Sequence, residues 1–123
     1  DAEAFERGYI ATELALRAWI AELKGDVNQG QRLLRHAYNA NPKDRWASGA
    51  IADRMYSGVG RMQAQGVDLR TALRAIIDIR PDHADSLRDL WQLELAAGND
   101  DAAREYRQRF SEVSPLAAVL ADQ

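Results

Sequence analysis

An all-α array of antiparallel helical hairpins is what this sequence predicts, and three observations carry the expectation. Apolar residues recur at helical spacing in every segment and nowhere alternate as they do along a half-buried strand. Proline and glycine punctuate the chain at related intervals: Pro81 and Pro115 are 34 residues apart, while Gly25 to Pro42 and Gly98 to Pro115 each span 17. The 123 residues include no cysteine, so neither disulfides nor thiolate metal sites hold the fold and packing must do so alone. Glycine supplies the left-handed turn that closes one helix, and proline stops the next, so a glycine at mid-period and a proline at its end describe two helices per unit.

Taken in order, the chain before Gly25 carries Phe5, Tyr9, Leu14, Leu16, Trp19, Ile20 and Leu23 with Ala2, Ala4, Ala11 and Ala15 between them, which predicts one long helix. Gly8, 17 residues before Gly25, also allows the first residues to be the tail of a preceding helix, and on either reading the chain is a piece of a longer array. Asn28 is the expected cap of the next helix, whose stripe of Leu33, Leu34, Ala37 and Tyr38 ends at Pro42. Asp44 caps a helix bearing Trp46, Ile51, Met55, Tyr56, Val59 and Met62.

Pro42 to Pro81 spans 39 residues rather than 34, so the first helix of this unit is expected to be elongated. Gly49, Gly58 and Gly60 lie within it and each costs about 1 kcal/mol relative to alanine, which points to close helix contact or a kink near Gly58. Asp68 caps the most apolar segment, with Leu69, Ala72, Leu73, Ile76, Ile77 and Ile79, and this should be central core. Helices over 84–97 and about 101–113 follow, and Leu116 to Ala121 opens another. The units are thus about 9–42, 43–81 and 82–115 in a single domain spanning 1–123, with 116–123 starting a further helix.

The pattern resembles the tetratricopeptide repeat (TPR) family. The last unit places Ala84, Leu87, Leu90, Gly98, Ala103, Phe110 and Pro115 where that family prefers small, apolar, leucine, glycine, alanine, apolar and proline residues, and departs at Glu94, where an aromatic is usual. The first unit supplies Leu14, Ala18, Gly25, Asp26, Leu34, Ala37 and Pro42, with Gly30 replacing a small alanine and Arg17 a leucine. The resemblance covers roughly residues 9–115 and implies a right-handed superhelical solenoid of about three units, with a concave groove lined by the first helix of each.

Carried over residue by residue, the implied groove positions are Thr12, Trp19 and Glu22, then Trp46, Asp53 and Tyr56, then Asp85, Arg88, Gln92 and Leu95. Aromatics at helical spacing usually pack, so core packing is the expectation for Trp19, Trp46 and Tyr56. The lysine and asparagine clamp that some family members use for peptide C-termini is not present.

Sixteen basic and nineteen acidic residues, interspersed, give a net charge of −3, and no basic stripe exists to neutralise phosphates, so nucleic acid is not an expected partner. No run approaches the roughly 18 apolar residues of a membrane span. His36 reads as a helix-surface residue, Asp82-His83-Ala84-Asp85 as helix capping rather than a metal corner, and Gly58-Val59-Gly60 lacks the strand that a dinucleotide loop needs. No catalytic, metal or cofactor site is expected.

The expected function is a protein–protein interaction scaffold. Its architecture looks like the periplasmic TPR arrays of bacterial exopolysaccharide export proteins, an association to which the near-exclusive use of arginine over lysine also leads. The alternative is a docking TPR domain fused to an enzyme whose active site lies elsewhere, and a third reading, carbohydrate binding by Trp19, Trp46 and Tyr56, requires those rings to be exposed. Ala4, Phe5 and Tyr9 at one end and Leu116, Val119 and Leu120 at the other are expected to be sticky and to favour end-to-end self-association.

Overall fold

A computed structural model describes residues 2–121, and all regular structure among them is helical. The elements are α1 (Ala2–Leu23), α2 (Val27–Ala40), α3 (Arg45–Ser57), α4 (Val59–Ala64), α5 (Leu69–Ile79), α6 (Ala84–Ala96), α7 (Asp100–Val113) and α8 (Pro115–Ala121). None of these helices is long and apolar enough to cross a membrane. The chain divides into two compact units, Asp1–Asp53 and Arg54–Gln123.

In the first unit α1 is one continuous helix through Gly8, and Gly25, at φ +86°, closes it. The Gly25 N–H donates to Glu22 O and the Asp26 N–H to Ala21 O, both at 2.9 Å, which is the paired reverse bonding of a glycine C-cap. The cap of α2 is Asp26, not Asn28: Asp26 Oδ1 accepts the Gln29 N–H at 3.1 Å, whereas Asn28 lies one residue inside the helix. An N-cap side chain must sit before the first helical residue to reach the exposed amides of the first turn.

The core between α1, α2 and the start of α3 consists of Ala15, Ala18, Leu34, Ala37 and Ala47, with Leu14, Leu33, Ala50 and Ile51 packed partly against it. Alanines let the helix axes approach. A Cβ added at Gly30 would lie 2.6 Å from Glu22 Cγ and 3.2 Å from the Ala18 carbonyl oxygen, so α2 passes α1 where only glycine fits without displacement. The turn into α3 is fixed by buried Asp44, whose Oδ2 accepts the Ala47 N–H at 2.9 Å and whose Oδ1 accepts the Thr12 hydroxyl at 2.7 Å. The side chains of Ala4 and Phe5 lie outside those described.

The second unit begins in the last turn of α3. The elongated helix expected here is two helices, because at Gly58 the backbone leaves helical geometry and its N–H is shared between Arg54 O and Met55 O at 3.1 and 3.0 Å. This is the kink that the glycines foreshadow. Gly66 and Gly98 repeat the closure seen at Gly25, at φ +91° and +80°, with Val67 N–H donating to Met62 O and Asn99 N–H to Glu94 O, each at 2.9 Å.

Asp68 caps α5 through the Thr71 N–H at 3.3 Å, and Ala72, Leu73, Ile76 and Ile77 of that helix are buried as core. Arg80-Pro81-Asp82-His83 then repeats the local geometry of Asn41-Pro42-Lys43-Asp44: His83 N–H donates to Arg80 O as Asp44 N–H does to Asn41 O, and His83 Nδ1 accepts the Ser86 N–H at 3.3 Å. Helices α6 and α7 pack through Leu87, Leu90, Trp91, Ala103 and Phe110, with the Trp91 and Phe110 ring centroids 6.1 Å apart. Helix α8 buries Ala118 and exposes Leu116, Val119 and Leu120, while residues 122–123 of the helix expected there lie outside the described residues.

Candidate functional site

The most developed polar constellation joins the last turn of α3 to α6. Tyr56 is half-buried beside buried His83, ring centroids 5.4 Å apart, and its hydroxyl donates to Asp89 Oδ2 at 2.6 Å. Arg88 Nη2 donates to the Tyr56 hydroxyl at 3.1 Å, and its Nε and Nη2 reach Asp89 Oδ1 at 3.2 and 3.1 Å. Nη1 donates to Asp85 Oδ1 at 3.2 Å. One guanidinium thus holds a phenol and two carboxylates in a fixed array.

The sequence places these groups together through helix geometry: Asp85, Arg88, Asp89 and Gln92 follow the i, i+3, i+4, i+7 spacing that puts residues on one helix face. His83 fixes where that face starts by capping α6. Burial raises the Tyr56 phenol to about 12, aided by the hydrogen bond and charge of Asp89. Partial burial opposes the charge of Arg88, but its hydrogen bond to Asp89 and the nearby Asp89, Tyr56 and Asp85 groups raise its pKa above the ordinary value. Near neutrality the phenol therefore keeps its proton and the guanidinium its charge, so the array is suited to recognition by hydrogen bonds rather than to proton transfer.

Of the residues implied as groove-lining, Tyr56, Asp85 and Arg88 are brought into contact, and Gln92 is exposed one turn further along α6. Leu95 is exposed as well. Asp89 completes the array and was not among the expected residues; its place beside Arg88 and four residues after Asp85 is the signal that marks it.

The first unit arranges its residues differently. Thr12 is bonded to Asp44 and serves the α1–α3 junction. Glu22 is half-buried against Gly30, and Asp53 is exposed on α3. Trp19 and Trp46 are 59% and 61% exposed, which corrects the expectation of core packing. The physical reason is the alanine core, whose closely spaced helices leave no volume for an indole. The third tryptophan, Trp91, is the one that packs inside.

A second polar cluster lies where the sequence departs from its repeat pattern. Glu94 is buried in α6; its Oε1 accepts from Arg70 Nε of α5 at 2.5 Å and its Oε2 from Asn99 Nδ2 at 3.1 Å. The Arg70 hydrogen bond holds this carboxyl below the usual carboxylate range against the opposing effect of burial, with Asn99 and Arg74 adding to it. Asn99 occupies the N-cap position of α7 but gives its side chain to Glu94 instead of to the helix. Among the described residues no group of three or more His, Asp or Glu side chains converges to hold a metal ion.

Comparison of the chain with family models, with curated proteins and with solved structures found no match.

Proposed function

We propose that the chain is a protein-interaction scaffold of TPR type, a right-handed solenoid of about three hairpin units that holds a partner without catalysing a reaction. The observation that carries this reading is the array of Tyr56, Asp85, Arg88 and Asp89, fixed by mutual hydrogen bonds on the helix face that the TPR resemblance assigns to partners. Pre-ordered polar groups at a partly exposed surface bind with less loss of side-chain freedom than free ones. The repeated closures at Gly25, Gly66 and Gly98, and the matching turns at Asp44 and His83, support the repeat plan. The narrower placement in a bacterial exopolysaccharide export protein rests on the resemblance and the arginine usage alone.

The test is quantitative affinity capture from a bacterial lysate by the chain and by its Arg88→Ala and Tyr56→Phe variants. A protein enriched by the parent chain and lost with variants that remain helical is the expected result. Identical captured sets would overturn the assignment of the array.

The exposure of Trp19 and Trp46 favours a second reading, stacking of sugar rings on the first unit. Titration with oligosaccharides while following tryptophan fluorescence should then shift the emission in the parent chain and not in a Trp19→Ala, Trp46→Ala double variant.

A further inference from the structure

Helix α1 has two apolar faces, and the face with the smaller side chains is the buried one. Ala11, Ala15 and Ala18 are inside, whereas Tyr9, Leu16, Ile20 and Leu23 are 66%, 40%, 49% and 71% exposed. With 3.6 residues per turn these four fall within an arc of roughly 60° on the side away from the alanines, in a stripe about 21 Å long. Glu13, which shares the arc, is neutralised within the helix by Arg17 at 2.8 Å. Trp19 stands at the rim of the stripe, also exposed.

The area of this face is what a pair of copies needs. The four residues and Trp19 expose roughly 600–700 Å² per copy, beyond the few hundred Å² of contiguous apolar surface usual on a monomer. Two such faces together bury about 1,300 Å², within the range of a specific interface. The spacing is also self-complementary: Tyr9 and Leu23 each stand seven residues from Leu16, two helical turns away. A two-fold axis through Leu16 sets Tyr9 of each copy against Leu23 of the other, with the two Leu16 side chains meeting at the centre.

We propose that α1 is the contact face of an antiparallel homodimer built on Tyr9, Leu16, Ile20 and Leu23, with its two-fold axis at Leu16. The pairing uses neither Tyr56 nor Arg88, so it stands or falls separately from the partner-binding reading.

Sedimentation velocity over a concentration series tests it. The expected result is a monomer–dimer equilibrium in which Leu16→Glu weakens association by at least about a hundredfold. Leu116→Glu with Leu120→Glu should leave the equilibrium unchanged, and circular dichroism should show each variant fully helical. Because the chain has no cysteine, a second measurement does not depend on the charged variants folding: on mild oxidation Leu16→Cys should form a disulfide-linked dimer. Leu23→Cys alone should not, while a mixture of Tyr9→Cys and Leu23→Cys chains should. A strictly monomeric chain, a dimer indifferent to Leu16→Glu, or self-linking of Leu23→Cys as efficient as that of Leu16→Cys would each overturn the proposal. So would an open-ended series of oligomers that depends on Leu116 and Leu120, since that outcome seats α8 of the next copy on the α1 face.

Discussion

The Tyr56 hydroxyl donates to Asp89 Oδ2 at 2.6 Å, and through this bond the end of α3 is fastened to α6 across 33 residues of sequence. Asp89 also receives Arg88, which in turn donates to Tyr56, so the bond is one side of a closed triangle. Removing the phenol opens that triangle without leaving Asp89 unpaired.

Tyr56→Phe is therefore expected to lower stability by about 1 kcal/mol, the scale of a hydrogen bond to a charged acceptor in a site that water can partly reach. The folded phenol titrates at about 12, above its ordinary value of 10.0, so the neutral form is the one that folding favours. That contribution is complete below pH 10 and is lost as the pH rises towards 12. Denaturant titrations of both chains should show the gap between them closing over this range, and a gap that persists at pH 12 would contradict the assignment.

Glu94 gives the opposite pH signature. Its folded carboxyl lies below its ordinary value of 4.5, so its contribution is present above that value and is lost as the pH falls through the lower folded value. Glu94→Gln should lower the melting temperature at neutral pH, where Arg70 loses its charged acceptor, and should flatten the acid limb of the stability curve. Thermal melts across pH 2–7 check this, and parallel acid limbs in the two proteins would place the acid sensitivity elsewhere.

Ala103 is buried where α6 and α7 come together with Leu87, Leu90 and Phe110. Ala103→Trp should disrupt this hairpin, because overpacking a filled contact costs about 1–3 kcal/mol and more when the helices cannot separate. Hydrogen exchange should show faster exchange in α6 and α7. A melting temperature equal to that of the parent chain would mean that the two helices are not held at alanine distance.

The α-helical class, the three glycine closures, the two proline turns and the core role of Leu73, Ile76 and Ile77 were legible in the sequence, because each depends on local chemistry. A positive-φ turn selects glycine, a proline ends a helix, and an apolar stripe at helical spacing needs a cover. Even there, neighbouring polar residues compete: Asp26 rather than Asn28 caps α2, and the choice turns on which residue stands just before the first helical turn.

What only the tertiary structure decided was which side of each helix is covered. Trp19 and Trp46 have the spacing of core residues yet lie outside, because Ala15, Ala18, Ala37 and Ala47 bring the helices too close to admit an indole. Periodicity measures the separation of residues along a helix, not the distance to the next one, and that distance is set by all the side chains at the contact. The pairing of Tyr56 with Asp89, and of Arg70 with Glu94, likewise joins residues 33 and 24 positions apart, and such contacts exist only once the helices between them have packed.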